Sequence, residues 1–209
     1  MPRREQLLSE LQDANDYGIL LMAQMGGVPN EIQLIVQTAR YDPAAQGLRE
    51  RGTYVIRALG VREHRLSLGV FGKLFFARDH PILLHHNTPR VAIAFEGRPN
   101  RDIHELVLDV HQAYVLTFGP WRELAADINR EQPLVNLLAS GAGVLGVMPE
   151  PAAARMAKVL AHHGLTPHLE PQPFETEDEH GRSRLMTLLG IDDSYLVALD
   201  FSVEQMGKV

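Results

Sequence analysis

The stretch DHPILLHHN, residues 79–87, sets His80, His85 and His86 close to Asp79. Imidazole nitrogens are the commonest metal ligands and the natural acid–base groups near neutral pH. Regular backbone works against convergence here. In a strand His85 and His86 face opposite ways, and His80 stands about 20 Å from His86. A curled loop is needed to gather them, and Pro81 and Pro89 favour one. His80, His85 and His86 are therefore the candidate metal ligands. His64 alternates with Leu66 and Leu68, which assigns it to the apolar face of a strand. With His80 it is the candidate catalytic pair of a histidine-based or metal-dependent hydrolase. His104 and His111 lie on one helical stripe but about 10.5 Å apart along the axis, too far to share one zinc ion. They are read as flanking the stripe, and His162, His163 and His168 as helix-end and loop residues.

A second chemical signal is SGAGVLGVMPEP, residues 140–151. Gly141, Gly143 and Gly146 have the G-x-G-x-x-G spacing of a dinucleotide loop. That loop must follow a strand and open directly onto a helix, so that amide groups of the helix meet the pyrophosphate. Val147, Met148 and Pro149 intervene before the next helix, although Glu170 sits where a ribose-binding acid would fall. The expectation is a glycine turn leading into an ordinary strand.

The third signal is basic. Arg49, Arg51, Arg57 and Arg65 share parity in a region with few acids. If their strands lie side by side, one sheet face presents guanidinium groups suited to phosphate or carboxylate. These arginines are the candidate ligand-binding residues for a small anion. Nucleic acid is not favoured: the net charge is −6, and Tyr54 has the wrong parity to stack bases beside the arginines. There is no G-x-S-x-G, P-loop or H-E-x-x-H motif.

Hydrophobic periodicity supplies the elements that must position these residues. A helix is expected over residues 3–25, from Leu7, Leu8, Leu11 and Ala14, ending at Gly26-Gly27. Strands are expected at 32–41, 53–59, 61–68, 70–77 and 90–97. A long helix follows at 101–118, with Asn100 as its cap. Two shorter helices at 121–129 and 133–140 come next, then a strand at 143–148, a helix at 150–163, a strand at 166–170 and a final strand at 195–203. Residues 171–184, with Glu175, Glu177, Asp178 and Glu179, are expected to be an acidic loop. Together these predict an α+β fold: an antiparallel sheet of about five or six strands packed by helices, with an N-terminal helix over an edge or a partner. The expected organisation is a single domain over 1–209, with a subdivision near residue 98 that leaves a strand meander before it and a helix-rich half after it.

Hydrophobic residues make up 45% and charged residues 22%, enough apolar content for a real core. The N-terminus has no signal-peptide pattern, and the absence of cysteine fits a reducing cytoplasm. No cofactor is specified. The reading that survives the spacing tests is a soluble cytoplasmic, non-catalytic binding or regulatory protein, acting as a homo-oligomer. The hydrolase and the anion binder are the alternatives.

Overall fold

In the computed structural model, which describes residues 3–177, 179–181 and 183–206, the chain divides into two compact units. One takes the chain up to Asp79 and again from Leu185; the other is His80–Arg184. The fold class is α+β, with all strand pairings antiparallel.

The first unit begins with α1 (Arg3–Ser9), which buries Leu7 and lies on the edge strand β12 (Asp200–Gln205). The helix expected over 3–25 is therefore cut short. From Asp16 burial alternates instead: Asp16, Gly18 and Leu20 face inward while Tyr17 and Ile19 are half-exposed. That period of two makes β1 (Asp16–Met25), and Gly18 within it weakens any competing helix. β1 pairs with β2 (Glu31–Asp42), β2 with β3 (Gly47–Leu59), and β3 with β12. β5 (Gly69–Phe71) adds to β1, giving the order β12-β3-β2-β1-β5.

A four-stranded sheet joins β4 (Glu63–Arg65), β11 (Ser194–Ala198), β10 (Thr187–Ile191) and β6 (Leu74–Ala77), in that order. The expected strand 195–203 is two strands. Leu199 interrupts it, and β11 and β12 then belong to different sheets. Leu20, Leu34, Val36, Tyr54 and Ile56 of one sheet share a core with Leu189, Ile191 and Leu196 of the other.

The second unit has β7 (Arg90–Glu96) between β8 (Ala142–Pro149) and β9 (Thr166–Pro171). The long helix α3 (Ile103–Phe118) and α5 (Glu150–His162) pack on each other and on the Val91, Ile93 and Phe95 face of β7. Asp102, not Asn100, caps α3, its carboxylate accepting from the His104 amide at 2.9 Å. Asn100 instead turns its backbone amide to the His163 carbonyl. A short α2 (Leu84–Asn87) precedes β7 and a short α4 (Leu134–Ala139) precedes β8. Residues 121–129, expected as a helix, hold only short 3-10 turns at Gly119–Trp121 and Leu124–Ala126. Within the acidic loop Glu177 bridges Ser183 and Arg184 pairs with Glu175 at 2.7 Å; Asp178 lies outside the described residues. Among the described residues no helix is long and apolar enough to cross a membrane.

Candidate functional site

The best-built polar cluster lies in the second unit, around Asp127. This carboxylate sits at the end of the Leu124–Ala126 turn with its side chain 4% exposed. Tyr114 of α3 donates its hydroxyl to Asp127 Oδ2 at 2.6 Å. His85 of α2 brings Nε2 to 3.0 Å from the same oxygen, at ion-pair distance but off the line of a well-directed hydrogen bond. Arg90 of β7 approaches Oδ1 at 3.8 Å while donating to the Val147 carbonyl at 2.8 Å. Burial pushes the Asp127 carboxyl up, but His85, Tyr114 and the charge of Arg122 outweigh it and hold the group below the usual carboxylate range. The Tyr114 hydroxyl is pushed well above its ordinary value, first by burial and then by its bond to the Asp127 anion.

The histidine-rich stretch feeds this cluster without forming a metal centre. His80 caps the 3-10 turn Pro81–Leu83, its Nδ1 accepting from the Ile82 amide at 3.3 Å. Its ring meets Trp121 edge-on at 5.1 Å. The His85 ring lies 5.1 Å from Phe118, tilted by 32°. His80 and His85 thus serve different partners: His80 meets Trp121, while His85 meets Asp127 and, just before the segment 119–131, Phe118. His86 is half-buried in α2. Among the described residues no three His, Asp or Glu side chains are gathered closely enough to hold a metal ion.

His64 lies in the other unit. It is exposed on the three-residue strand β4, at the end of its sheet's order and opposite Leu196. The alternation with Leu66 and Leu68 does not hold because β4 ends at Arg65.

The four arginines do not form one field. Arg49, Arg51 and Arg57 lie on β3, whereas Arg65 lies on β4 of the other sheet. A bulge opposite Thr38 and Ala39 leaves Arg51 without a register partner and breaks the shared parity. Arg51 bonds the Glu10 carbonyl at 3.2 Å and the Asp16 carboxylate at 3.1 Å, offsetting a buried acid. Arg57 stands 3.7 Å from Glu204. Arg65 donates twice to the Asp193 carbonyl and lies over the Tyr195 ring. Arg49 is exposed, directly across from Arg40.

The glycine series is structural. Gly141 has φ +90° just after α4, and Gly143 and Gly146 lie within β8, not at a helix start. A methyl group on Gly146 would fall 2.1 Å from the Asp127 carbonyl oxygen. Gly146 is what lets residues 127–129 lie against β8. There Ile128 bridges Gly146, the Asn129 amide donates to Leu145 at 2.8 Å, and the Val147 amide donates to Asp127 at 3.0 Å.

Next to this seam is a groove of about 510 Å³, bounded by Tyr114, Val115, Pro120, Leu124 and Ile128, with His111 and Arg122 among its lining residues. Leu108, Val115 and Leu116 of α3 are exposed nearby in sequence, Leu116 by 73%. Asp127 and Tyr114 were not singled out from the sequence. The available signal was Tyr114 itself: a tyrosine on a buried helical stripe needs a partner for its hydroxyl. Comparisons with known proteins find no matching family model, no similar curated protein and no similar solved structure.

Proposed function

We propose that the protein is a non-catalytic binding or regulatory protein, and that its binding site is the apolar groove between α3 and the segment 119–131. The observation that carries the reading is the groove itself. Its volume of about 510 Å³ is of the size that small-molecule sites and side-chain pockets have. One of its walls, with Tyr114 and Val115, belongs to a helix that also leaves Leu108 and Leu116 in solvent. The nearby buried carboxylate supports a structural role. Asp127 is already held by Tyr114 and His85 and is almost closed to solvent, so it is not presented to a substrate.

Trp121 is the chain's single tryptophan, and it adjoins the Pro120 wall of the groove. Titration with the amphipathic, anionic dye anilinonaphthalene sulfonate, whose aromatic rings seek apolar sites, is expected to give saturable binding with energy transfer from Trp121. Val115→Asp, which places a charge in the wall, is expected to weaken that binding at least tenfold. No saturable binding, or binding indifferent to Val115→Asp, overturns the reading.

The proposal includes self-association in a reducing, cytoplasmic setting. It is supported by exposed Met22 and Met25 on β1, exposed Val70 on β5 and the absence of cysteine. Light scattering at micromolar concentration is expected to return the mass of a dimer; a monomer removes that part.

A further inference from the structure

The segment 119–131 joins α3 to α4 and is weakly anchored for its length. Between Gly119 and Glu131 only Leu124 and Asp127 are buried. Its regular structure is two three-residue turns. Grooves run on both sides of it: the one of about 510 Å³ against α3, and one of about 330 Å³ bounded by Arg90, Asp127, Asn129, Val144 and Val147. Such a segment has few apolar contacts to lose on moving, which is the physical signature of low local stability.

Its anchorage is largely polar and directional. Asp127 accepts from Tyr114 through its side chain and from the Val147 amide through its backbone. Asn129 donates to Leu145 through its backbone and reaches the Val144 carbonyl through its side-chain amide at 3.3 Å. His80 on Trp121 adds a ring contact, and His85 of α2 adds a charged contact to Asp127. β8 is the end strand of its sheet, so residues 127–129 cover a backbone edge that would otherwise be open on that side.

We propose that the segment 119–131 is a lid latched by Asp127. It opens as one piece from α3 and from the β8 edge while the rest of the His80–Arg184 unit stays folded. This rests on the binding reading above, because the lid forms one wall of the proposed groove. Opening widens access to Tyr114 and Val115 and frees the β8 amide and carbonyl groups between Val144 and Val147. Asp127 is the latch because its buried carboxylate ties the segment to both α3 and α2. Gly146 is its seat, since any side chain there would strike the closed lid.

Hydrogen–deuterium exchange on the full chain, without ligand, tests this. In the native protein the seam amides, Asn129 and Val147, are expected to exchange at least tenfold faster than Ile93 in β7 and Leu160 in α5. Asp127→Asn is expected to speed peptides covering 124–131 and Val147 by a further ten- to hundredfold, leaving β7 and α5 unchanged. Tyr114→Phe keeps the buried ring and removes only one bond to the latch, so it serves if Asp127→Asn folds poorly. It should accelerate the same peptides to a smaller degree. Seam amides that exchange in step with β7 and α5 in the native protein and in Tyr114→Phe overturn the lid. The dye titration is read separately: a lid that opens without dye binding leaves this inference standing and removes the binding reading, and the reverse holds equally.

Discussion

At the scale of single residues, Asp127 shows how a buried carboxylate fixes structure. Replacing it by Asn removes a charge-assisted bond from Tyr114 and leaves His85 facing a neutral amide. Hydrogen bonds to charged groups contribute about 1.5–3 kcal/mol, and Asp127→Asn should lower stability at neutral pH by that order. The pH dependence follows from the direction of the shift. Because the folded carboxyl lies below its ordinary value, the unfolded chain binds the proton more readily. This contribution is complete above the unfolded carboxylate range, around pH 4, and is lost as pH falls through the lower folded value. Urea midpoints from neutral to acid pH should therefore show a native acid slope that is shallower in Asp127→Asn. Equal slopes would mean that Asp127 carries no linkage. The sequence made part of this site legible. Of the histidines in the stretch 79–87, His85 meets Asp127, whereas His80 caps its own turn and meets Trp121. The other members, Tyr114 and Asp127, are not legible from that stretch because they are distant from it in sequence and meet His85 only through packing of α2, α3 and the Leu124–Ala126 turn. The arginines misled for a local reason: parity counts faces only while the strand is regular, and the bulge at Arg51 resets it.

At the scale of elements, glycine and phenylalanine meet face to face twice. Gly18 of β1 is paired with Phe71 of β5, and Gly190 of β10 with Phe75 of β6. In each pair the ring covers the glycine so closely that an added methyl would lie 2.0 Å from Phe71 or 2.3 Å from Phe75. A ring folded over a strand glycine compensates for the missing side chain. Gly190→Ala should therefore cost about 1–3 kcal/mol through overpacking, and Phe75→Leu in the same chain should recover part of that loss. A double-mutant cycle by chemical denaturation measures the coupling; additive effects would show that the ring moves freely. The long periodic segments α3, α5 and β2 are legible in the sequence because their stripes or alternation run through most of their length. β1 falls inside the helix expected over 3–25 because the spacing of Leu7, Leu8, Leu11 and Ala14 meets no stop signal before Gly26, and what decides otherwise is the ladder with β2 and β5. β10 is not legible in the sequence because it is buried from Leu188 to Ile191, which leaves a short apolar run with no alternation.

At the scale of the whole molecule, the chain leaves the first unit after β6 and returns to it at β10, and these two strands are paired neighbours. Ala77 stands opposite Leu188 in the register, so the two chain ends that flank the second unit are held about 5 Å apart, the separation of paired strands. A segment inserted at such a point closes its loop on an existing sheet, and the sheet does not depend on the insertion to bring its strands together. Each unit also has its own apolar core, one centred on Leu34, Ile56 and Leu189, the other on Ile93, Leu106 and Met156. Independent stability of the first unit follows. Removing residues 80–184 and joining β6 to β10 through a short Gly-Ser turn should leave a protein with a β-type circular dichroism spectrum and a single cooperative denaturant transition. Its m-value should fall roughly in proportion to the surface removed. If the shortened chain instead has no cooperative transition, the strands of the first unit require the second for their stability, and the paired stem alone does not make it an independent folding unit.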